Sequence, residues 1–208
     1  MKRTVEEHAD RFDGRASTYD ETRPPEHAAC ARLVVECARP DPEDVVLDLG
    51  TGTGRIALAL ASTARRVIGR DVSAEMLERA RTKASERGVE TVEFDTGSFR
   101  EPNYSGPVDV ITSNFALHHL GDAEKRDAIC VMAAYEPKRV VLGDVMCFGS
   151  PEPDDPFFNP AVDDPATVGV LADAFADAGF SLTAVHRIHD QVGVLVAERG
   201  EMGHEVSV

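Results

Sequence analysis

The sequence predicts a single α/β domain: a doubly wound, mostly parallel sheet of seven strands, with helices on both faces and one antiparallel strand near the edge. Three observations carry that expectation. Between residues 45 and 145, short apolar runs of strand length alternate with segments of helical periodicity. The last two runs, "SLTAVHRI" and "VGVLVAE", are joined by only a few residues, which suits antiparallel neighbours. The length, 208 residues at 42% hydrophobic content, suffices for one well-filled core.

Residues 1–24 are polar with scattered aromatics. From 26 to 38, Ala29, Leu33 and Cys37 recur at helical spacing, and Pro40 and Pro42 end that helix. "VVLDL" (45–49) reads as the first strand and "RIALALA" (55–61) as a buried helix. "RRVIGRD" (65–71) is the second strand. In the helix that follows (73–87), Ser73 is the cap, Glu75 complements the N-terminal dipole and Gly88 is the stop. "TVEF" (91–94) and "VDVITS" (108–113) are the third and fourth strands. Asp122 is expected to cap a helix running to about Ala134, and "RVVLGDV" (139–145) is the fifth strand. A loop rich in proline and acid (146–166) leads to a helix over 168–178, stopped by Gly179, and then to the final pair of strands.

The first strand runs straight into "GTGTG". In a doubly wound sheet ligands bind beyond the carboxyl ends of the strands, where the strand order reverses. Gly50, Gly52 and Gly54 would fill the first turn there and let a ligand approach bare backbone. A tight turn with no ligand is the plainer reading. A phosphate-cradling loop needs GxxxxGK[ST], which is missing, and the dinucleotide pattern GxGxxG needs glycine where Arg55 stands. Asp48, two residues before the first glycine, favours a ligand with an ammonium or sulfonium group over a pyrophosphate. Asp71 ends the second strand, where a carboxylate accepts from both hydroxyls of a ribose and repels a 2′-phosphate, despite the adjacent Arg70.

"VVLDLGTGTGR", "VIGRDVSAEMLERAR" and "GSFREPNYSGPVDVITSNFALHHL" together resemble a class I S-adenosylmethionine-dependent methyltransferase of the small-molecule type, over roughly residues 12–145 and including "ASTYD" upstream. The resemblance implies a Rossmann-like fold and S-adenosyl-L-methionine as cofactor. It implies that Asp48 and the Gly50–Gly52 backbone hold the methionine end, Asp71 the ribose and Val72 the adenine, while Ser113 and Asn114 close the pocket beneath the sulfonium. The family usually has Gly-Asp after the third strand. Here Gly97-Ser98 stands there, so Ser98 would accept the adenine amino proton without charge assistance. The organisation expected is a lid and helix (1–40), an S-adenosylmethionine-binding methyltransferase core (41–199) and a tail (200–208).

Methyl transfer is an in-line displacement at an activated carbon, so alignment and water exclusion do much of the work. His118 or His119 is the candidate base or substrate hydrogen-bond donor, and both can equally be packing residues. Adjacent histidines usually point in different directions, so no shared metal is expected. The cysteines (Cys30, Cys37, Cys130, Cys147) form no CxxC pair. Phe12 and Tyr19 would cover the sulfonium or anchor the N-terminal segment; Phe157 and Phe158 would line an apolar entrance or tether their loop. Two further readings stay open: a non-catalytic S-adenosylmethionine-binding subunit, and an NAD-dependent oxidoreductase.

The net charge of −15, from 37 acids against 22 bases, disfavours a nucleic-acid backbone as partner, and no Asn-Pro-Pro-Tyr tetrad stands at Asn114, so DNA is not expected. Only four bases are lysine (Lys2, Lys83, Lys125, Lys138), and acid excess with scarce lysine also suits a protein of concentrated salt. No apolar run approaches the roughly 18 residues of a membrane span, and none follows the two basic residues at the N-terminus. The expectation is a cytoplasmic protein, monomer or homodimer, acting on a small molecule.

Overall fold

Successive residues of the first apolar run face opposite ways, and both faces are covered. Val45, Leu47 and Leu49 join one core with Ile111, Ile129, Leu142 and Phe175; Val46 joins the other with Val34, Val67 and Val110. A strand buried on both sides needs helices on both sides. The computed structural model describes residues 5–16, 19–20, 24–149 and 156–200 and has that layering.

The strands are β1 (Val45–Leu49), β2 (Arg66–Asp71), β3 (Val92–Thr96), β4 (Val110–Asn114), β5 (Arg139–Val145), β6 (Phe180–His189) and β7 (Val192–Arg199). They form one sheet in the order β3-β2-β1-β4-β5-β7-β6. β7 alone runs antiparallel, to β5 on one side and β6 on the other. The chain moves outward from β1 through β2 to β3, then returns to β4 on β1's other flank, with Asp48 opposite Thr112. The crevice between these two strands opens at their carboxyl ends.

The helices are α1 (Val5–Asp13), α2 (Pro25–Ala38), α3 (Arg55–Leu60), α4 (Ala74–Glu86), α5 (Asp122–Ala134) and α6 (Val168–Asp177). Ser73 caps α4, its hydroxyl accepting from Met76 N at 3.2 Å. The cap expected at Asp122 is instead Gly121, whose N–H donates to Glu124 Oε2 at 2.9 Å. Asp122 is the first helical residue, where its charge faces the helix dipole.

α1 departs from the sequence expectation, which placed no helix before residue 26. It lies against α4, and Asp13 Oδ1 accepts from Ser73 Oγ (2.5 Å) and Glu75 N (3.2 Å), adding a second acceptor to that helix's N-terminus. Residues 1–4, 17–18 and 21–23 of the expected lid, 150–155 of the acidic loop and nearly all of the expected tail (201–208) lie outside the described residues. Among the described residues no helix is long and apolar enough to cross a membrane.

Candidate functional site

The glycine turn is forced by backbone geometry. Gly50 and Gly52 have φ of +68° and +54°, and the Gly50 and Thr51 N–H groups both donate to Arg70 O, at 2.8 and 3.0 Å. A Cβ at Gly50 would sit 2.3 Å from Ala116 Cβ, so the turn also lets the loop after β4 close over it. Asp48, which the resemblance assigns to the methionine end, does not border the cavity. It sits on Val46's face of β1, is 1% exposed, and its two oxygens accept from Thr51 Oγ1 (2.6 Å) and Thr112 Oγ1 (2.7 Å). Burial raises its pKa to about 6, against the lowering effect of those two hydroxyls. It ties the glycine turn to β4.

A cavity of about 430 Å³ lies over this turn, within the roughly 300–1,000 Å³ of small-molecule sites. Gly50, Gly52, Asp71, Val72, Ser98, Phe12, Tyr19 and His119 border it. Asp71 Oδ2 accepts from Gly52 N (2.7 Å) and Oδ1 from Ser73 N (3.0 Å). Burial pushes its pKa up and these backbone bonds oppose the rise. Arg70 is turned away: its guanidinium donates to Glu93 (2.8 Å) and to Pro102 O (3.1 Å), so it offers nothing to a 2′-phosphate. Ser98 faces the cavity while its hydroxyl accepts from Glu101 N at 3.0 Å. Asn114 does not border it. A Cβ at Gly143 would meet its Oδ1 at 2.8 Å, so that side chain points toward β5, not beneath a ligand.

The two histidines occupy a 3₁₀ turn, Leu117–His119, directly after β4. His118 is buried, and Asp144 holds it twice: Oδ1 accepts from the ring Nδ1 at 2.5 Å and Oδ2 from the backbone N at 3.0 Å. His119 Nδ1 donates to Asp163 Oδ1 at 2.9 Å. Burial, then the adjacent His118, push His119 down to about 4, so at neutral pH it is an uncharged imidazole. Burial also works against the Asp163 charge, but the His119 hydrogen bond, the adjacent His118 and the Asn159 N–H outweigh it and hold Asp163 well below the usual carboxylate range. Asp163 is further fixed by Asn159 N (2.9 Å), and Asp164 N donates to His118 O (2.8 Å). The buried Lys125 donates to Leu120 O and to Asp164 O, stapling the acidic loop to this turn.

Contrary to expectation, the histidines do not point apart: their ring centroids are 4.0 Å from each other, and with Asp163 they bring donor atoms within 4.8 Å. That donor set already serves a fixed cation, since Arg11 Nη1 stands 3.6 Å from Asp163 Oδ1. A second cavity, about 300 Å³, opens on this side. It shares Phe12, Tyr19, Phe115 and His119 with the first, so the two chambers meet at His119. Phe157 and Phe158, expected at an entrance or as a tether, line this second chamber.

Sequence reasoning missed Asp144, Asp163, Arg11 and His27. Asp144 carried a signal, a lone acid inside an otherwise apolar strand. Asp163 carried none, being one of several acids in a loop. His27 is recognisable only in three dimensions, where it stacks on Phe115 at 3.7 Å and 8°.

Residues 46–135 match the family model described as a methyltransferase domain. The uncharacterized methyltransferase YcgJ of Bacillus subtilis is 38% identical over 94 residues, which span 45% of this chain and 37% of that protein. The chain spans about half or less of the length of the curated relatives it matches. The crystal structure of Bacillus subtilis YcgJ superposes with a TM-score of 0.64 at 27% identity, covering 78% of this chain and 71% of that one. Magnesium protoporphyrin IX methyltransferase from Synechocystis, solved with bound S-adenosylmethionine, shares the fold at a TM-score of 0.63 and 22% identity, over 96% of this chain and 85% of that one. Residues 46–135 therefore resemble a methyltransferase domain, and the sheet order and glycine turn set that match on the fold its solved neighbours share.

Proposed function

We propose that the chain moves a methyl group from S-adenosylmethionine to a small-molecule acceptor by in-line displacement. The observation that supports this most is the meeting of two chambers at His119, one floored by the glycine turn and Asp71, the other walled by aromatic rings.

In this reading the Gly50 and Gly52 backbone takes the amino-acid end of the donor. A carboxylate has about four lone-pair directions. Gly52 N and Ser73 N bond different oxygens of Asp71, and the carboxylate still borders the cavity, where it can accept from ribose hydroxyls. Val72 packs on the adenine and Ser98 meets its amino group. Asp48 acts indirectly, by fixing the turn through Thr51 and Thr112. Phe12 and Tyr19, edge to face at 6.2 Å, present ring faces suited to a cation. Bound there, the group supplies a methyl carbon made electrophilic by positive sulfur.

The protein's own part is alignment, exclusion of water and management of one proton. Asp163 fixes the His119 tautomer with the proton on Nδ1, which leaves Nε2 to accept the acceptor's proton. His118, held by Asp144, positions its neighbour. Residues 1–40 then serve as lid and helix over the core at 41–199, as the contribution of Phe12 and Tyr19 to both chambers supports. The charge of −15 disfavours polyanionic acceptors, DNA included.

Calorimetric titration of S-adenosylmethionine and, separately, NAD tests the reading. Micromolar S-adenosylmethionine binding, lost in Asp71→Ala, is expected, with no heat from NAD; NAD binding alone overturns it. Conversion of bound donor to S-adenosylhomocysteine with a small-molecule extract separates an enzyme from a binding subunit.

A further inference from the structure

The second chamber carries a charge pattern opposite to that of the chain around it. In a protein of net charge −15, its lining among the described residues includes Arg11 and Arg15 against the single acid Asp163. Arg15 is exposed at its rim, whereas the Arg11 side chain is 20% exposed. Arg11 Nη1 is buried and donates no hydrogen bond among the described residues; Asp163 Oδ1, at 3.6 Å, is beyond hydrogen-bond reach. A buried guanidinium nitrogen without an acceptor is costly unless something completes it. Asp163 cannot turn to do so, since Asn159 N and His119 Nδ1 hold its two oxygens.

The rest of the chamber is flat and aromatic. His27 lies parallel on Phe115 at 3.7 Å, making a wall two rings thick, and Phe157 stands 6.1 Å from His27. Arg11 and His119 approach the same oxygen of Asp163, so the cation and the imidazole flank one acid. A ligand reaching both therefore carries its anion and its hydroxyl on the same small ring system.

We propose that this chamber is the acceptor site and takes a planar hydroxyaryl carboxylate, its anion on Arg11 with Arg15 at the rim, its ring between the aromatic walls and its hydroxyl at His119. This rests on the methyltransferase reading and narrows it to one substrate class. Arginine suits the task because its planar fork meets a carboxylate in two bonds.

The test uses the full chain, with salicylate and its neutral isostere salicylamide as probes, titrated with and without S-adenosylhomocysteine. Salicylate is expected to bind at least about tenfold more tightly than salicylamide, a difference of about 1.4 kcal/mol. Arg11→Met should erase that preference and leave S-adenosylhomocysteine affinity unchanged, which also reports that the variant is folded. Arg11→Lys should keep part of the preference. Equal binding of acid and amide overturns the proposal, as does a preference that survives Arg11→Met. If S-adenosylhomocysteine binds and neither probe does, the proposal falls while the methyltransferase reading stands. If S-adenosylhomocysteine fails to bind the folded protein, both fall.

Discussion

His119 Nδ1 and Asp163 Oδ1 lie 2.9 Å apart, joining residues 44 positions apart in the chain. The pair sits where the two chambers meet, and the acid sets which ring nitrogen keeps the proton. Replacing His119 by alanine is expected to lower kcat by about 10²–10⁴-fold, the usual contribution of a positioned base, with S-adenosylmethionine affinity unchanged. Asp163→Asn should cost less, since the imidazole remains. Single-turnover formation of S-adenosylhomocysteine checks both, and an equal loss of donor affinity would reassign His119 to cofactor binding.

The same burial has a pH signature. His119 is held at about 4 in the folded chain against about 6.5 when unfolded. Its folded value is depressed, so below pH 6.5 the unfolded chain takes up the proton first, and stability is lost as pH falls from 6.5 toward 4. The size is on the order of 1–3 kcal/mol. Asp48 works oppositely: raised to about 6, it costs stability as pH climbs from about 4 through 6. The two windows overlap, so the quantity to measure is the denaturation difference between wild type and His119→Gln at pH 7 and pH 5. A difference that does not change with pH would contradict the buried neutral imidazole.

Asp71 and Asp48 should separate cleanly by calorimetry. Asp71 borders the donor cavity, so Asp71→Asn is expected to weaken S-adenosylmethionine by tenfold or more. Asp48 meets the two threonines and the backbone of α3 at Ala57, not the cavity, and Asn can keep part of those bonds. Asp48→Asn should therefore weaken binding by only a few-fold. The reverse ranking would mean that Asp48 reaches the ligand directly.

Gly50→Ala is expected to melt well below wild type, for two separable reasons. Its φ of +68° costs an L-residue about 1–2 kcal/mol, and the new methyl would lie 2.3 Å from Ala116 Cβ. Adding Ala116→Gly removes the clash and leaves the backbone cost, so the double variant should recover part of the lost melting temperature. No recovery would place the whole penalty in the backbone.

The acid excess predicts a salt response. With net charge −15, self-repulsion is screened at high ionic strength, and the melting temperature should rise between low salt and molar KCl. A flat or falling profile counts against adaptation to concentrated salt.

The strands and the glycine turn were legible because their signals are local: apolar runs, helical periodicity, and three glycines where the backbone must turn. α1 was not, since VEEHADRFD is short and polar overall, with Val5, Ala9 and Phe12 its only apolar residues, and its seat on α4 depends on Asp13 reaching Ser73, 60 residues onward. Asp48 and Asn114 were chosen for the right elements, but strand alternation and the approach of Gly143 turn their side chains away from the cavity. His119 was found by its place after β4; its partner Asp163 was invisible because loop acids carry no periodicity.

α1 borders both chambers, with His8 and Phe12 on the first and Arg11 and Phe12 on the second. A nine-residue helix has little stability of its own in water, so its docking contacts keep it in place. In the proposed reading α1 is therefore a door common to donor and acceptor. Its local opening would then tie loading to product release and set a ceiling on turnover however fast the bond-making step becomes. Hydrogen exchange along α1, slowed when both chambers are filled, would time that door.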